Sequence, residues 1–179
     1  MNCSLRLDPY TLSRTSAKLS PVTNIVLKEG DLAPEFSLEN QNHVVVELKS
    51  LLKNGPTVIY FYPKDFTPGC TTEACDFRDL SIRFDSAGYQ IVGISPDDPE
   101  KHKKFIEEYN LTFDLLSDPT KEVMTMFGAF GEKMNYGKVV QGVIRSTFVI
   151  QPDRTISSTM YAIKAKGHAE RVAKLLPTV

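Results

Sequence analysis

The sequence predicts an α/β domain with a mixed central sheet flanked by helices, and three observations lead to that fold class. Short apolar, β-prone runs alternate along the chain with amphipathic helical patterns, as they do where helices connect parallel strands. Two strand-like runs near the C-terminus are joined by a tight turn, which adds antiparallel neighbours to the sheet. The length of 179 residues suits one domain with a sizeable core.

The first predicted elements are a hairpin and a buried strand. Residues 35–38 and 44–48 are short apolar runs separated by the polar residues 39–43, and this pattern predicts an N-terminal β-hairpin. Residues 56–62 are almost continuously apolar, which is typical of a strand covered on both faces. The hairpin therefore precedes a central strand of the sheet.

A helix and a second buried strand follow. An amphipathic pattern predicts a helix over about residues 70–85, closed by Gly88. On a helical wheel, one stripe faces the core, and its members are Cys70, Ala74, Phe77, Ser81 and Phe84. Residues 89–95 are the next predicted buried strand.

Two further helices begin at matching signals. Asp98 and Asp118 are each an acidic N-cap followed by proline at the first helical position, and the second of these helices ends near Phe127. The glycine-rich residues 128–142 are predicted to be irregular, with one or two short strands.

The C-terminal part completes the fold. Residues 145–150 and 155–161 are predicted strands around a turn at 151–154. Residues 167–176 are predicted to form the last helix.

The composition excludes several classes of function. A net charge of −1 gives no electrostatic reason to expect nucleic acid or an anionic membrane as a partner. No apolar run approaches the ~18 residues that span a bilayer. Three cysteines are too few for a disulfide scaffold, and they favour a reducing compartment.

Residues 1–24 differ from the domain predicted over 25–179. They are rich in Ser and Thr and carry more basic than acidic side chains. Either a flexible extension or an organelle transit peptide has this composition, whereas a secretory signal would need an apolar core. We therefore expect a cytoplasmic protein, with a plastid-like organelle as the alternative, and we assign no role to Cys3.

The most informative feature is a pair of cysteines at a strand-to-helix junction. Cys70 lies at the start of the predicted helix, where free N–H groups and the helix dipole stabilise a thiolate. Cys75 lies about 140° around the same helix, so the two sulfurs cannot bond while the helix is intact. A bond between them would require the first turns to unwind.

Several interpretations of this pair remain open from the residues alone. Both thiols could be buried and inert, because free cysteine is often a core residue. A metal site is disfavoured, since the three histidines are dispersed and are expected to be structural or exposed, with His102 on a solvated helix face. The Cys-x-x-Cys pattern of general disulfide exchangers is absent. The remaining interpretation is a thiolate nucleophile with a nearby resolving thiol.

The surrounding residues resemble a known family. Pro63, Thr67 and Cys70 in a Pro-x-x-x-Thr-x-x-Cys motif, followed by Cys75 and by Arg145 downstream, closely resemble the peroxiredoxins. The spacing of Cys75 is similar to the subgroup called peroxiredoxin Q or bacterioferritin comigratory protein. The resemblance covers about residues 27–176, and it implies a thioredoxin-like fold and thiol peroxidase activity.

The resemblance also implies a reaction cycle without a cofactor. Cys70 would be the peroxidatic cysteine, which attacks hydrogen peroxide or an organic hydroperoxide and becomes a sulfenic acid. Cys75 would resolve it as an intramolecular disulfide, and a thioredoxin-type reductant would restore both thiols. An intramolecular resolving cysteine needs no second subunit, so we expect a monomer or weak dimer.

Five neighbouring residues have chemically suitable supporting roles. Arg145 would stabilise the thiolate and bind the peroxide oxygens, and Glu73 would orient it through a bidentate pair. Thr67 offers a hydroxyl that donates and accepts, Pro63 shields the thiolate from water, and Gly69 allows close approach of the substrate. All but Gly69 also have a plain structural alternative, such as helix capping or strand termination.

Two questions of function stay open. Phe66 would either line an apolar mouth that favours organic hydroperoxides or simply pack against its neighbours. The alternative to an enzyme is a redox sensor or relay that uses the same Cys70–Cys75 switch, and a weaker alternative is a non-catalytic scaffold.

Overall fold

The computed structural model describes residues 25–135 and 137–177, whose main feature is a mixed seven-stranded sheet. The strands of this sheet are β1 (Ser37–Asn40), β2 (Val45–Glu47), β3 (Thr57–Phe61), β4 (Gln90–Ser95), β5 (Asp114–Ser117), β8 (Ser146–Ile150) and β9 (Ile156–Met160). Their order across the sheet is β2-β1-β5-β4-β3-β8-β9. A separate two-stranded sheet pairs β6 (Phe130–Asn135) with β7 (Lys138–Val143). The N-terminal extension predicted over residues 1–24, which includes Cys3, lies outside the described part of the chain.

Helices flank the central sheet and largely begin where the sequence predicts. They are α1 (Leu48–Leu52), α2 (Pro68–Asp79), α3 (Ser81–Ser86), α4 (Pro99–Tyr109), α5 (Glu122–Met126) and α6 (His168–Ala173). Asp98 caps α4 by accepting a hydrogen bond from the Lys101 N–H at 2.8 Å, as its position before a proline predicts. Asn110 ends this helix in the left-handed conformation.

The sheet is mixed because β3 has a different kind of neighbour on each side. It pairs in parallel with β4 and antiparallel with β8, where Phe61 lies opposite Ser146. Strand β4 pairs in parallel with β5 in turn. This arrangement confirms the predicted fold class.

Two hydrophobic clusters cover the two faces of the sheet. Alternate side chains of β3 contribute to each, with Ile59 and Phe61 in one cluster and Val58 and Tyr60 in the other. The second cluster also contains the apolar stripe of α2 and α3 that the helical wheel predicts, namely Cys70, Ala74, Phe77 and Phe84. The thiol of Cys70 is therefore part of the core between helix and sheet.

The structure differs from the predicted elements in five places. Asp118 is not a helix N-cap: it begins a turn in which the Lys121 N–H donates to its carbonyl at 3.1 Å, and α5 starts only at Glu122. The predicted helix over 70–85 is interrupted at Leu80, whose ψ of 1° separates α2 from α3. The short helix α1 begins where the predicted hairpin strand 44–48 ends, because Leu48 and Leu52 bury one face together. Strand β5 was not predicted, and residues 130–143 form a regular hairpin rather than an irregular segment.

Candidate active site

The chain delivers Cys70 to the first turn of α2. Strand β3 ends at Phe61, a loop follows, and Thr67 adopts an extended N-cap conformation before Pro68 starts the helix. The first helical hydrogen bond joins the Thr71 N–H to the Thr67 carbonyl at 2.9 Å. The N–H groups of Gly69 and Cys70 precede it, so they lack intrahelical acceptors and present positive charge beside the thiol.

Arg145 is the cation nearest to this thiol. Its Nη2 atom lies 3.1 Å from the Cys70 sulfur, which is itself almost fully buried. The antiparallel pairing of β8 with β3 explains this contact, since Arg145 immediately precedes β8 and is thereby held beside the end of β3. Its carbonyl also accepts a hydrogen bond from the Ile163 N–H at 3.2 Å. The structure thus brings together two residues that are 75 positions apart.

Glu73 links Arg145 to a third residue. Its side chain is fully buried, and its Oε2 atom accepts from Nη1 of Arg145. The expected pairing of Glu73 and Arg145 is therefore present. It is not bidentate as predicted, because the other carboxylate oxygen, Oε1, contacts Nδ1 of His168 at 2.7 Å.

His168 is a buried, neutral imidazole. Burial lowers its pKa to about 3, and the charges of Arg171 and Arg145 act in the same direction. A neutral ring with its proton on Nδ1 donates to the Glu73 carboxylate. Its Nε2 atom has no hydrogen-bond partner among the described residues. Sequence reasoning gave His168 no role, although its position at the start of the last apolar helix was a signal of burial.

The other predicted supporting residues lie in the loop before Cys70 and in the first turn of α2. The hydroxyl of Thr67 donates to the carbonyl of Lys64 at 3.1 Å. Pro63 is half-buried in the same loop. A Cβ atom built on Gly69 would lie 3.8 Å from Arg145 Nη2, which is an ordinary van der Waals contact. It would fit without a clash but would fill the space in front of the guanidinium. Glycine keeps that space open at this point.

Cys75 lies on the same helix but outside the buried cluster that contains Cys70. Its side chain is half-buried, whereas Cys70 is 1% exposed. Both cysteines are free thiols in this structure. The side chain of Arg78, one turn further along α2, donates to the carbonyl of Tyr109 at 2.6 Å. This contact joins the region of Cys75 to the end of α4.

A second buried polar cluster anchors the loop that precedes Cys70. Asp65 accepts a hydrogen bond from the Tyr62 hydroxyl at 2.7 Å and contacts Nδ1 of His102 at 2.8 Å. Nε2 of His102 lies 3.2 Å from the Leu116 carbonyl. The prediction that His102 occupies a solvated helix face is wrong, since the side chain is fully excluded from solvent. The missed signal was its spacing from Phe105, which places both on the apolar face of α4.

Phe66 packs against α4 and remains partly accessible. Its ring centroid lies 5.0 Å from that of Phe105 and 6.3 Å from that of Tyr109. The residue is 38% exposed and adopts a φ of 61°, which is unusual for a bulky side chain. The packing expected as one alternative for Phe66 is present, and part of the ring also stays accessible on the loop before Cys70.

Within 25–135 and 137–177, no helix has both the length and the apolar character of a bilayer-spanning segment. The same residues contain no group of three or more His, Cys, Asp or Glu side chains placed to hold a metal ion.

Comparisons with known proteins agree with one another. The model of the AhpC/TSA family matches residues 30–159. A putative peroxiredoxin of Mycobacterium tuberculosis is 52% identical over 149 residues, which cover 83% of this chain and 92% of that protein. Peroxiredoxin Bcp of Bacillus subtilis is 41% identical over 155 residues, which cover 87% and 96% respectively.

Solved structures give the same result. Peroxidoxin BcpB of Mycobacterium tuberculosis superposes with a TM-score of 0.74 at 38% identity, covering 83% of this chain and 95% of that one. The bacterioferritin comigratory protein of Xanthomonas campestris, described in work on its alkyl peroxide reduction activity, superposes with a TM-score of 0.75 at 33% identity. That match covers 86% of this chain and 96% of the other.

Proposed function

Because the chain belongs to the AhpC/TSA family and is a peroxiredoxin of the Bcp or peroxiredoxin Q kind, we propose that Cys70 is its peroxidatic nucleophile. The family has thiol peroxidase activity, which makes the protein an oxidoreductase that uses a peroxide and a thiol reductant. The observation that carries the assignment is the 3.1 Å contact between the Cys70 sulfur and Arg145. A permanent cation at that distance favours the thiolate over the thiol.

The first step transfers one oxygen atom to sulfur. The Cys70 thiolate attacks one peroxide oxygen, the O–O bond breaks, and its electron pair leaves on the second oxygen as hydroxide or alkoxide. That leaving group takes a proton and departs as water or alcohol, while Cys70 becomes a sulfenic acid. Arg145, whose Nη2 atom lies 3.1 Å from the sulfur, and the free N–H groups of Gly69 and Cys70 would stabilise this negative charge as it develops.

The second step forms a disulfide within one chain. The Cys75 thiolate attacks the sulfur of the Cys70 sulfenic acid, an S–S bond forms, and the S–O bond breaks to release hydroxide, which takes a proton to become water. A thioredoxin-type dithiol then reduces this disulfide and is itself oxidised. Cys75 is half-buried at the surface side of α2, which suits a thiol that must meet both Cys70 and an external reductant.

The supporting residues act on the entrance and on Arg145. Glu73 orients Arg145 through its buried carboxylate, and Gly69 leaves the space before the guanidinium open for the substrate. Thr67 holds the loop through Lys64 and offers its hydroxyl oxygen as an acceptor. Pro63, which has no N–H to attract water, shields the thiolate from the solvent side.

The substrate range includes organic hydroperoxides as well as hydrogen peroxide. The Xanthomonas relative is described as reducing alkyl peroxides, and here the exposed part of the Phe66 ring provides an apolar surface on the loop before Cys70.

Residues 25–179 form the catalytic domain of a cytoplasmic monomer or weak dimer, and residues 1–24 are an extension to it.

A redox relay is the second candidate, and one observation favours it. Glu73 lies between the two cysteines on α2, so unwinding this helix separates it from Arg145 and His168. Formation of the disulfide would therefore change the surface around α2, α6 and the start of β8, which a partner protein could recognise.

Turnover separates these two functions. We would follow NADPH oxidation by thioredoxin reductase and thioredoxin with hydrogen peroxide or cumene hydroperoxide, comparing wild type with Cys70→Ser, Cys75→Ser and the control Cys3→Ser. The peroxidase consumes many equivalents of peroxide per chain, Cys70→Ser consumes none, and Cys75→Ser loses only thioredoxin-driven turnover. A wild-type protein that reacts with about one equivalent and then stops would be a relay.

A further inference from the structure

The contact between His168 and Glu73 is buried from both sides. Both side chains have no exposed surface, and Nδ1 lies 2.7 Å from Oε1. The imidazole also packs edge-on against the ring of Phe77, with centroids 5.5 Å apart and planes at 89°. Since α6 packs on α2, the contact joins the last helix of the fold to the helix that carries Cys70.

We propose that His168 is a positioning residue that keeps the Arg145 guanidinium available to Cys70. It acts by occupying one oxygen of Glu73. The proposal rests on the proposed function, in which Cys70 reacts as a thiolate stabilised by Arg145.

The geometry of the guanidinium explains the effect. An arginine beside a carboxylate favours a bidentate pair in which two N–H groups meet the two oxygens. Here Oε1 is engaged by His168, so Arg145 meets Oε2 with Nη1 alone. Its Nη2 is left to reach the Cys70 sulfur at 3.1 Å.

Removing the imidazole donor would change how the two Nη atoms of Arg145 are shared between Glu73 and Cys70. Oε1 of Glu73 would become a buried carboxylate oxygen without a partner, which is unfavourable. Arg145 is the cation already in contact with that carboxylate, so its second N–H would turn from sulfur to oxygen. Cys70 would then lose the positive charge that contacts its sulfur, and a negative charge on that sulfur would be less well stabilised.

Burial and nearby positive charges keep the His168 imidazole neutral, as the positioning role requires. The charged groups that act on it are Glu73 from α2, Arg145 from before β8, and Arg171 from its own helix. Burial and the two arginines lower the pKa of His168 to about 3, so the ring stays neutral near neutral pH. A neutral ring satisfies Oε1 without adding a second cation that would compete with Arg145 for Glu73.

Two substitutions separate the donor from the ring. His168→Phe keeps an aromatic ring against Phe77 but has no N–H, and it also removes the unpartnered Nε2 atom. His168→Asn loses the ring but places an amide N–H near the position of Nδ1. Both are made in a Cys3→Ser, Cys75→Ser background, so that Cys70 is the only thiol that titrates.

The measurements are the pH dependence of Cys70 alkylation by iodoacetamide and the second-order rate with hydrogen peroxide. For His168→Phe, we expect the alkylation midpoint to rise by about one pH unit and the peroxide rate at neutral pH to fall about tenfold. For His168→Asn, we expect the midpoint to stay within about 0.3 unit of the parent. Thermal unfolding of each variant is recorded alongside.

The outcomes are distinct. An unchanged or lowered alkylation midpoint in folded His168→Phe would overturn the positioning role. The role would also be overturned if both variants lost thermal stability and their midpoints rose by the same amount. Failure of the proposed function appears separately, as slow peroxide oxidation of the parent itself. The alkylation midpoints would still report whether His168 controls the charge near Cys70.

Discussion

Forming the Cys70–Cys75 disulfide should make the folded protein less stable, because both residues lie in one helix. In an α-helix, residues five apart are separated by about 7.5 Å along the axis and about 140° around it. Their Cα atoms are therefore about 8.7 Å apart, beyond the ~7 Å limit for a disulfide. Unwinding of the first turns of α2 is the change that brings the two sulfurs together.

The structure identifies what this unwinding costs. Cys70 and Ala74 leave the core, and Glu73 leaves its contacts with Arg145 and His168. Loss of the two buried side chains and of charge-assisted hydrogen bonds destabilises the fold by about 3–5 kcal/mol. The short disulfide loop stabilises by about 2 kcal/mol through the unfolded chain, so the net loss is about 1–3 kcal/mol.

Thermal unfolding measures this difference directly. For a chain of this size, the net loss corresponds to a Tm lowered by about 2–12 °C. We would oxidise the protein with one equivalent of peroxide, verify the disulfide by intact mass, and compare its far-UV circular dichroism melt with the reduced form. Cys75→Ser treated identically is the control, and its Tm should not fall in this way.

Amide hydrogen exchange tests the cause. Protection of the N–H groups of residues 71–76 should be lost in the disulfide form and retained in reduced protein. If a protein with the verified disulfide kept this protection and melted at or above the reduced Tm, the requirement for unwinding would be refuted.

Three further predictions concern the buried charges. Arg145→Met should lower the peroxide rate of Cys70 about 10²- to 10³-fold in stopped-flow kinetics, because the nearest donor is lost; an unchanged rate would remove Arg145 from the mechanism. His102→Leu leaves Asp65 buried without its imidazole partner and should cost about 3–5 kcal/mol in urea unfolding, and a loss below 1 kcal/mol would contradict the buried pair. The pKa of His168 is about 3 in the fold and 6.5 in an unfolded chain, so the unfolded chain binds more protons between these values. Stability should therefore fall as pH drops below 6.5, by up to about 1.4 kcal/mol per unit, with a shallower slope in His168→Asn by urea unfolding.

Local patterns predicted the helix and its buried face, because helical periodicity depends on nearby residues. The stripe from Cys70 to Phe84 lies in one core cluster although the helix is interrupted at Leu80. Strand β5 escaped prediction because it has only four residues, Leu115 and Leu116 being its apolar pair. A run that short has no distinguishable period.

The polar network of the site could not be predicted in the same way. Arg145 reaches Cys70 through the pairing of β8 with β3, which is a contact between distant parts of the chain. His102 is buried between α4, the loop at Asp65 and the end of β5, and His168 is buried between α6 and α2. The resemblance to peroxiredoxins indicated Arg145, whereas the carboxylate partners of the two histidines, Asp65 and Glu73, are 37 and 95 positions away and needed the structure.

The most direct test is single-turnover oxidation of the fully reduced protein by hydrogen peroxide in a stopped-flow instrument, with intact mass measured afterward. We predict fast oxidation with loss of the mass of two hydrogens, and in Cys75→Ser an equally fast gain of one oxygen instead. Oxidation at the rate of an ordinary free thiol would contradict the assignment of Cys70 as an activated nucleophile. Fast gain of oxygen without a disulfide in wild type would contradict the role of Cys75.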